Sequence, residues 1–128
     1  MIETTVASLI AIKPVLQQLA NVEMAARDSF IVLRLLKNID KEYEIIESAQ
    51  HKMLDMYGLK NEEGKLILNT QGGFTIKEEF AEVFAVEMEQ LLKTKLEIEG
   101  NKIKLDILDK LQLTPHQLLK MEDFISEE

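Results

Sequence analysis

Apolar side chains recur along the first half of the chain in alternating steps of four and three. Ala25, Ser29, Val32, Leu36, Ile39, Tyr43, Ile46, Gln50, Met53 and Tyr57 occupy successive steps. That spacing keeps one seam of a helix against a partner. It predicts a long central helix from about Val22 to Tyr57, ~50 Å at ~1.5 Å per residue, with Gly58 as its stop. Ile31, Leu33 and Leu35 flank Val32 and Leu36, so the first half of the helix needs cover on several sides. In the second half Lys41, Glu42, Glu44, Glu47, Lys52 and Asp55 surround a narrower stripe, as in a helix wet on its far side. Ser29 and Gln50 are the polar members of the seam. They either set its register or mark where it meets solvent.

Before the long helix, residues 4–12 are apolar and helix-permissive, and Lys13-Pro14 interrupts them. Pro suits the first turn of a helix better than an interior, so the arm reads as one kinked helix or two short ones. Asn21 ends that arm or caps the next helix. Beyond Gly58, Asn61-Glu62-Glu63-Gly64 reads as a turn, Lys65 to Asn69 as a short strand, and Gln71-Gly72-Gly73 as a second turn. Thr75 and Glu78 have the spacing of a capping box. The helix they open reaches about Lys93, with Phe80, Val83, Phe84, Met88, Leu91 and Leu92 on one face.

Leu96-Glu97-Ile98-Glu99, Gly100-Asn101 and Lys102-Ile103-Lys104-Leu105 read as a β-hairpin with a glycine-first two-residue loop. Folded there, Glu99 meets Lys102, Ile98 meets Ile103, Glu97 meets Lys104 and Leu96 meets Leu105, every pair matched in kind. Asp106 to Leu113 comes next as a short helix. Thr114-Pro115-His116-Gln117 opens the last one, with Thr114 as cap and Pro115 in the first helical position. The expected fold is therefore mainly α with minor β. It has a long central helix, a kinked N-terminal helix, short β-hairpins and two or three C-terminal helices. One domain over 1–128 is expected, with a helical arm and long helix in 1–58 and a hairpin-helix-hairpin-helix part in 59–128.

Composition narrows the function. With 46% hydrophobic residues in 128, the chain can bury a core. The absence of Cys excludes disulfides and thiolate metal sites and fits a reducing compartment. No secretion signal and no membrane span is expected. Net charge is −8, and the basic residues are spread along the chain, which argues against direct binding of a nucleic-acid backbone. Residues 1–37 carry four basic and three acidic groups, whereas residues 38–63 carry three and seven.

Candidate chemistry is sparse. His51 lies four residues from both Glu47 and Asp55, a trio that reads as a solvated His with carboxylate neighbours more readily than as a metal site, since catalytic zinc wants three ligands in a pocket. His116 sits in the first turn of the last helix, where a positive charge opposes the helix dipole. Gly72-Gly73 lacks the Lys-Ser/Thr of a phosphate loop. No pair of groups is nominated for acid–base work. No catalytic residue, cofactor or metal is expected, and the chain reads as a non-enzyme.

The order of features carries a resemblance. Ile31-Val32-Leu33-Arg34-Leu35-Leu36-Lys37, Lys52-Met53-Leu54-Asp55-Met56-Tyr57-Gly58, Gly64-Lys65-Leu66, Glu79-Phe80, Glu89-Gln90-Leu91-Leu92 and Leu113-Thr114-Pro115 together resemble an uncharacterised family of small acidic proteins encoded in bacteriophages and prophages. The resemblance implies a viral context and the cytoplasm of a bacterial host, with the virion as a further possible location. It brings no catalytic residues.

Two functions are expected from this reading. In the first, the protein is a non-enzymatic assembly, structural or accessory factor that binds protein, most readily as a homo-oligomer, through Val32, Leu33, Leu35, Leu36, Ile39 and Tyr43. In the second, it inhibits a host defence or nucleic-acid-processing protein through an acidic face of Glu42, Glu44, Glu47, Glu62 and Glu63.

Overall fold

A computed structural model of the chain describes residues 1–68 and 73–126. The fold is mainly α with minor β. In order it has strand β1 (Ile2–Thr5), helices α1 (Val6–Leu19), α2 (Ala26–Tyr57) and α3 (Ala81–Leu92), strands β2 (Lys95–Ile98) and β3 (Ile103–Lys104), helices α4 (Leu105–Leu108) and α5 (Pro115–Lys120), and strand β4 (Ile125–Ser126). Two compact units result, Met1–Tyr43 with Lys93–Glu128, and Glu44–Leu92. The division falls inside the long helix at Tyr43, where the sequence suggested a break at Gly58.

The first unit holds the core. Ile2-Glu3-Thr4-Thr5 alternates buried and outward positions, and its β-branched residues suit a pleated surface. Thr5 then caps α1, its hydroxyl accepting the Ser8 N–H at 3.3 Å. Val6, Leu9, Ile12, Val15, Leu16 and Leu19 form the buried face of α1. Val32, Leu35 and Ile39 of α2 are buried as well, and Ile98, Ile103, Met121 and Phe124 are also fully enclosed. Each such side chain contributes about 1.5–3 kcal/mol by leaving water.

Several local expectations need correction. Residues 4 and 5 belong to a strand, and α1 runs unbroken through Pro14, which lies on its exposed side. The long helix begins at Ala26, not Val22. The hairpin at Gly100-Asn101 does not form. β2 pairs antiparallel with β1, Ile2 opposite Ile98 and Thr4 opposite Leu96, and β3 pairs in parallel with β4, Ile103 opposite Ile125. Burial is the reason. Ile98 and Ile103 both enter the core, so each finds a strand that is itself anchored there. Matched charges on an exposed ladder are worth only about 0.2–1 kcal/mol per pair.

The buried stripe of α2 also differs from the seam. Val32, Leu35, Ile39, Ile46 and Tyr57 are buried, while Leu36 and Tyr43 are half-buried. A straight helix turns ~100° per residue and drifts off a strict heptad. Leu35 therefore faces the core with Val32 and Ile39, and Leu36 lies to one side.

In the second unit, α2 ends at Tyr57, and the Gly58 N–H closes the last turn on the Leu54 carbonyl at 2.7 Å. A Cβ at Gly58 would collide with that carbonyl and with Leu66. Isolated antiparallel bridges join Gly58 to Ile76, Lys60 to Leu66 and Leu68 to Phe74. The turn at Asn61–Gly64 forms as expected, with Asn61 Oδ1 accepting from the N–H groups of Glu63 and Lys65. Thr75 is not a helix cap. Its backbone is engaged in the bridged segment, accepting from Leu59 and donating to Ile67, and the helical run opens with a 3-10 turn at Glu78–Phe80. The expected turn at Gln71–Gly73 falls largely outside the described residues.

Candidate functional site

Among the described residues, no three His, Asp or Glu side chains converge where they could hold a metal ion. His51 and His116 are both exposed, and Asp55 lies 3.9 Å from the Lys60 ammonium. The clefts are open. One of about 560 Å³ is lined by Glu3, Thr4, Thr5, Lys95, Glu97 and Asp123, among others. Within it the buried Thr4 hydroxyl donates to Asp123 Oδ2 at 3.1 Å. No helix of the described residues is long and apolar enough to cross a membrane.

What distinguishes the molecule is apolar surface that its own chain leaves uncovered. Helix α3 is rich in Val, Phe, Met and Leu, yet none of its residues is buried. Phe84, Met88, Leu91 and Leu92 are half-buried on its inner side. There Tyr57 stands over Phe80 and Phe84, with ring centroids 5.3 and 6.4 Å away, and its hydroxyl donates to Glu87 Oε1 at 2.9 Å. That charged acceptor, reinforced by burial, holds the Tyr57 phenol above its ordinary pKa. On the outer side Val83 and Val86 are 46% and 49% exposed, bordered by Glu82 and Glu89.

A second uncovered strip runs along the first half of α2. Phe30 and Leu33 are 63% and 53% exposed, and Arg27, Arg34, Lys37 and Lys41 are exposed around them. At its edge Met1, Phe30, Ile31, Arg34, Glu99 and Gly100 line a cleft of about 330 Å³. The neighbouring loop is pinned by Asn38, whose side-chain amide donates to the Glu99 carbonyl at 2.7 Å.

The candidate interface residues thus divide. Val32, Leu35 and Ile39 are enclosed by the chain itself and cannot meet a partner without unfolding. Tyr43 is covered on one face by the Lys13 ammonium, 3.6 Å from the ring centroid. Of the six, Leu33 is the one that is exposed, at 53%. The heptad spacing does not mark Phe30, Val83 or Val86 as contact residues. A helical wheel of α2 drawn at ~100° per residue would have found Phe30, because it falls opposite Val32, Leu35 and Ile39.

The acidic candidates are not brought together as one face. Glu42 is half-buried, Glu44 and Glu47 are exposed, and the helical step leaves Glu44 and Glu47 about 60° apart on one side of α2 and sends Glu42 to another. Glu62 and Glu63 lie in the Asn61 turn, with Glu63 3.9 Å from Lys65. Comparison with protein families, curated proteins and solved structures finds no match to this chain.

Proposed function

We propose that the protein acts without catalysis, by binding other protein through apolar surface on α2 and α3. One observation carries this reading. Helix α3 exposes Val83 and Val86 and buries nothing, and apolar faces left open on small soluble domains usually mark interaction sites. Sealing them against a partner stabilises both the complex and a unit that has little core of its own. The resemblance to phage and prophage proteins supports a setting in the cytoplasm of a bacterial host. An inhibitor working through an acidic face has less support, because Glu42 lies on a different side of α2 from Glu44 and Glu47.

A photo-crosslinking amino acid at Val86 tests the reading in cells that express the protein from its natural gene. The expected result is a discrete protein adduct, either with a copy of the chain or with another protein. The same group at Gln17, an exposed position on the outer side of α1, should give none. Absence of an adduct from both Val86 and Val83 would remove the basis for the proposal.

A further inference from the structure

We infer that the chain self-associates by laying the basic outer face of α2's first half in one copy on the acidic outer face of α3 in another. The inference rests on the protein-binding reading above and names the partner. At ~100° per residue, positions 27, 30, 33, 34, 37 and 41 fall within an arc of about 120°, on the side of α2 turned away from Val32, Leu35 and Ile39. That arc holds Arg27, Phe30, Leu33, Arg34, Lys37 and Lys41. It is four cations around two large apolar side chains, with no carboxylate. All six are exposed, and among the described residues none of the four cations forms an ion pair with a carboxylate. The long stems of Arg and Lys extend the apolar strip while their charges stay wet.

The run from Glu78 to Leu92 is the counterpart in charge and in size. It has five Glu and no Lys or Arg. Glu87 is held by Tyr57. Glu79 and Glu82 lie exposed before Val83, Glu89 lies exposed beyond Val86, and the two valines between them leave shallow room for larger side chains. Residues 27–41 and 78–92 are fifteen positions each, so two helical faces of matching length, about 20 Å at ~1.5 Å per residue, can lie along each other. Phe30 and Leu33 would pack over Val83 and Val86, with Arg34 and Lys37 reaching the flanking carboxylates.

Matching of length and charge decides between occupants. The basic arc alone would suit an anionic membrane, but the whole chain carries −8, and residues 44–92 hold ten carboxylates against four lysines. Such a molecule is repelled by an anionic surface over a Debye length. A second copy, also at −8, is repelled in the same way at long range, but its acidic helix is matched to the basic arc in length and in charge, and the chain brings both faces in equal number. The two faces differ, so the contact is heterologous. It closes if two copies exchange it reciprocally and otherwise propagates. One helix face on another is a small interface, below about 1,200 Å², which makes for weak and salt-sensitive association.

Sedimentation velocity on the intact chain tests this with two charge reversals, Arg34→Glu/Lys37→Glu and Glu79→Lys/Glu82→Lys. All four positions are exposed, and circular dichroism melts check that each variant folds. The wild type is expected to associate at about 20 mM salt and to lose at least about tenfold in affinity by about 300 mM. Each variant alone should be a monomer, and an equal mixture of the two should associate, because both the intact pair of faces and the reversed pair are complementary in charge. A monomeric wild type at low salt overturns the inference. So does association that survives either reversal, or a mixture that stays monomeric. Pelleting of a monomeric wild type with phosphatidylserine-containing vesicles, lost in Arg34→Glu/Lys37→Glu, would give the basic face to a membrane instead. A Val86 adduct with a different protein, beside a monomeric wild type, would preserve the protein-binding reading and overturn the second copy as its partner.

Discussion

The Tyr57 hydroxyl donates to Glu87 at 2.9 Å, tying the last turn of α2 to the middle of α3. Ionising the phenol would set two negative charges side by side, so folding favours the protonated form and raises the pKa. The sign comes from linkage. A group whose folded pKa exceeds its unfolded value contributes stability below the unfolded pKa, and that contribution is lost as pH rises through the folded one. Ultraviolet titration in a Tyr43→Phe background, where Tyr57 is the sole tyrosine, should give a midpoint above the ordinary phenol value of about 10. Glu87→Gln should bring it down. A midpoint indifferent to that change would mean the bond does not persist in solution.

Gly100 has φ +143°, and a Cβ there would sit 3.2 Å from Leu35 Cδ1. Gly64 has φ +80° with nothing within 4 Å of such an atom. Gly100→Ala adds backbone strain to crowding of a fully buried leucine and should cost about 1–3 kcal/mol. Gly64→Ala carries strain alone, about 1 kcal/mol. Gly64→Asn should recover most of its loss, since Asn tolerates the left-handed region, whereas Gly100→Asn should not. Urea melts of the four variants would show the ordering, and equal losses at the two sites would contradict it.

Much of the helical content was legible because it depends on local spacing. The end of α2 at Gly58, the Asn61 turn and the Thr114–Gln117 capping box, with Gln117 N–H to Thr114 Oγ1 at 3.2 Å, all depend on residues a few positions apart. Strand pairing was not legible, because Ile98 had a good local partner in Ile103 and a better one in Ile2, 96 residues away. Charge matching favoured the local choice and burial favoured the distant one. The candidate surface was half legible. Excess apolar width on α2 was plain, but which side faced inward depended on Leu35 rather than Leu36. That the valines of α3 stay open depends on no element of the described residues covering them, which no spacing rule records.

Glu3 and Glu97 lie directly opposite each other in the β1–β2 ladder, both on its exposed face. Like charges in that relation are destabilising. Glu97→Lys turns the pair into an attractive one and should raise stability by about 0.2–1 kcal/mol, with the gain shrinking as salt is added. Reducing the net charge of −8 would also help, so Glu23→Lys, exposed in the loop after α1, is the matched control. Thermal melts should favour Glu97→Lys over Glu23→Lys at low salt. Equal effects would assign the gain to net charge and not to the pair.

Leu35 and Leu36 are neighbours with opposite consequences. Leu35 is fully enclosed, between Val32 and Ile39 on the buried stripe, and Gly100 approaches its side chain. Leu35→Ala removes buried methyl groups and leaves a cavity, at a cost of about 2–5 kcal/mol. Leu36 is half-buried and keeps part of its surface in water already, so Leu36→Ala should cost about 1 kcal/mol or less. Leu36→Gln sharpens the contrast, because an amide at a half-exposed position can stay hydrated, whereas Leu35→Gln would bury one without a partner. Denaturant melts decide. If Leu36→Ala proved the more damaging change, a strict heptad seam would be the correct description of α2, and the basic outer face opposite Leu35 would have to be redrawn.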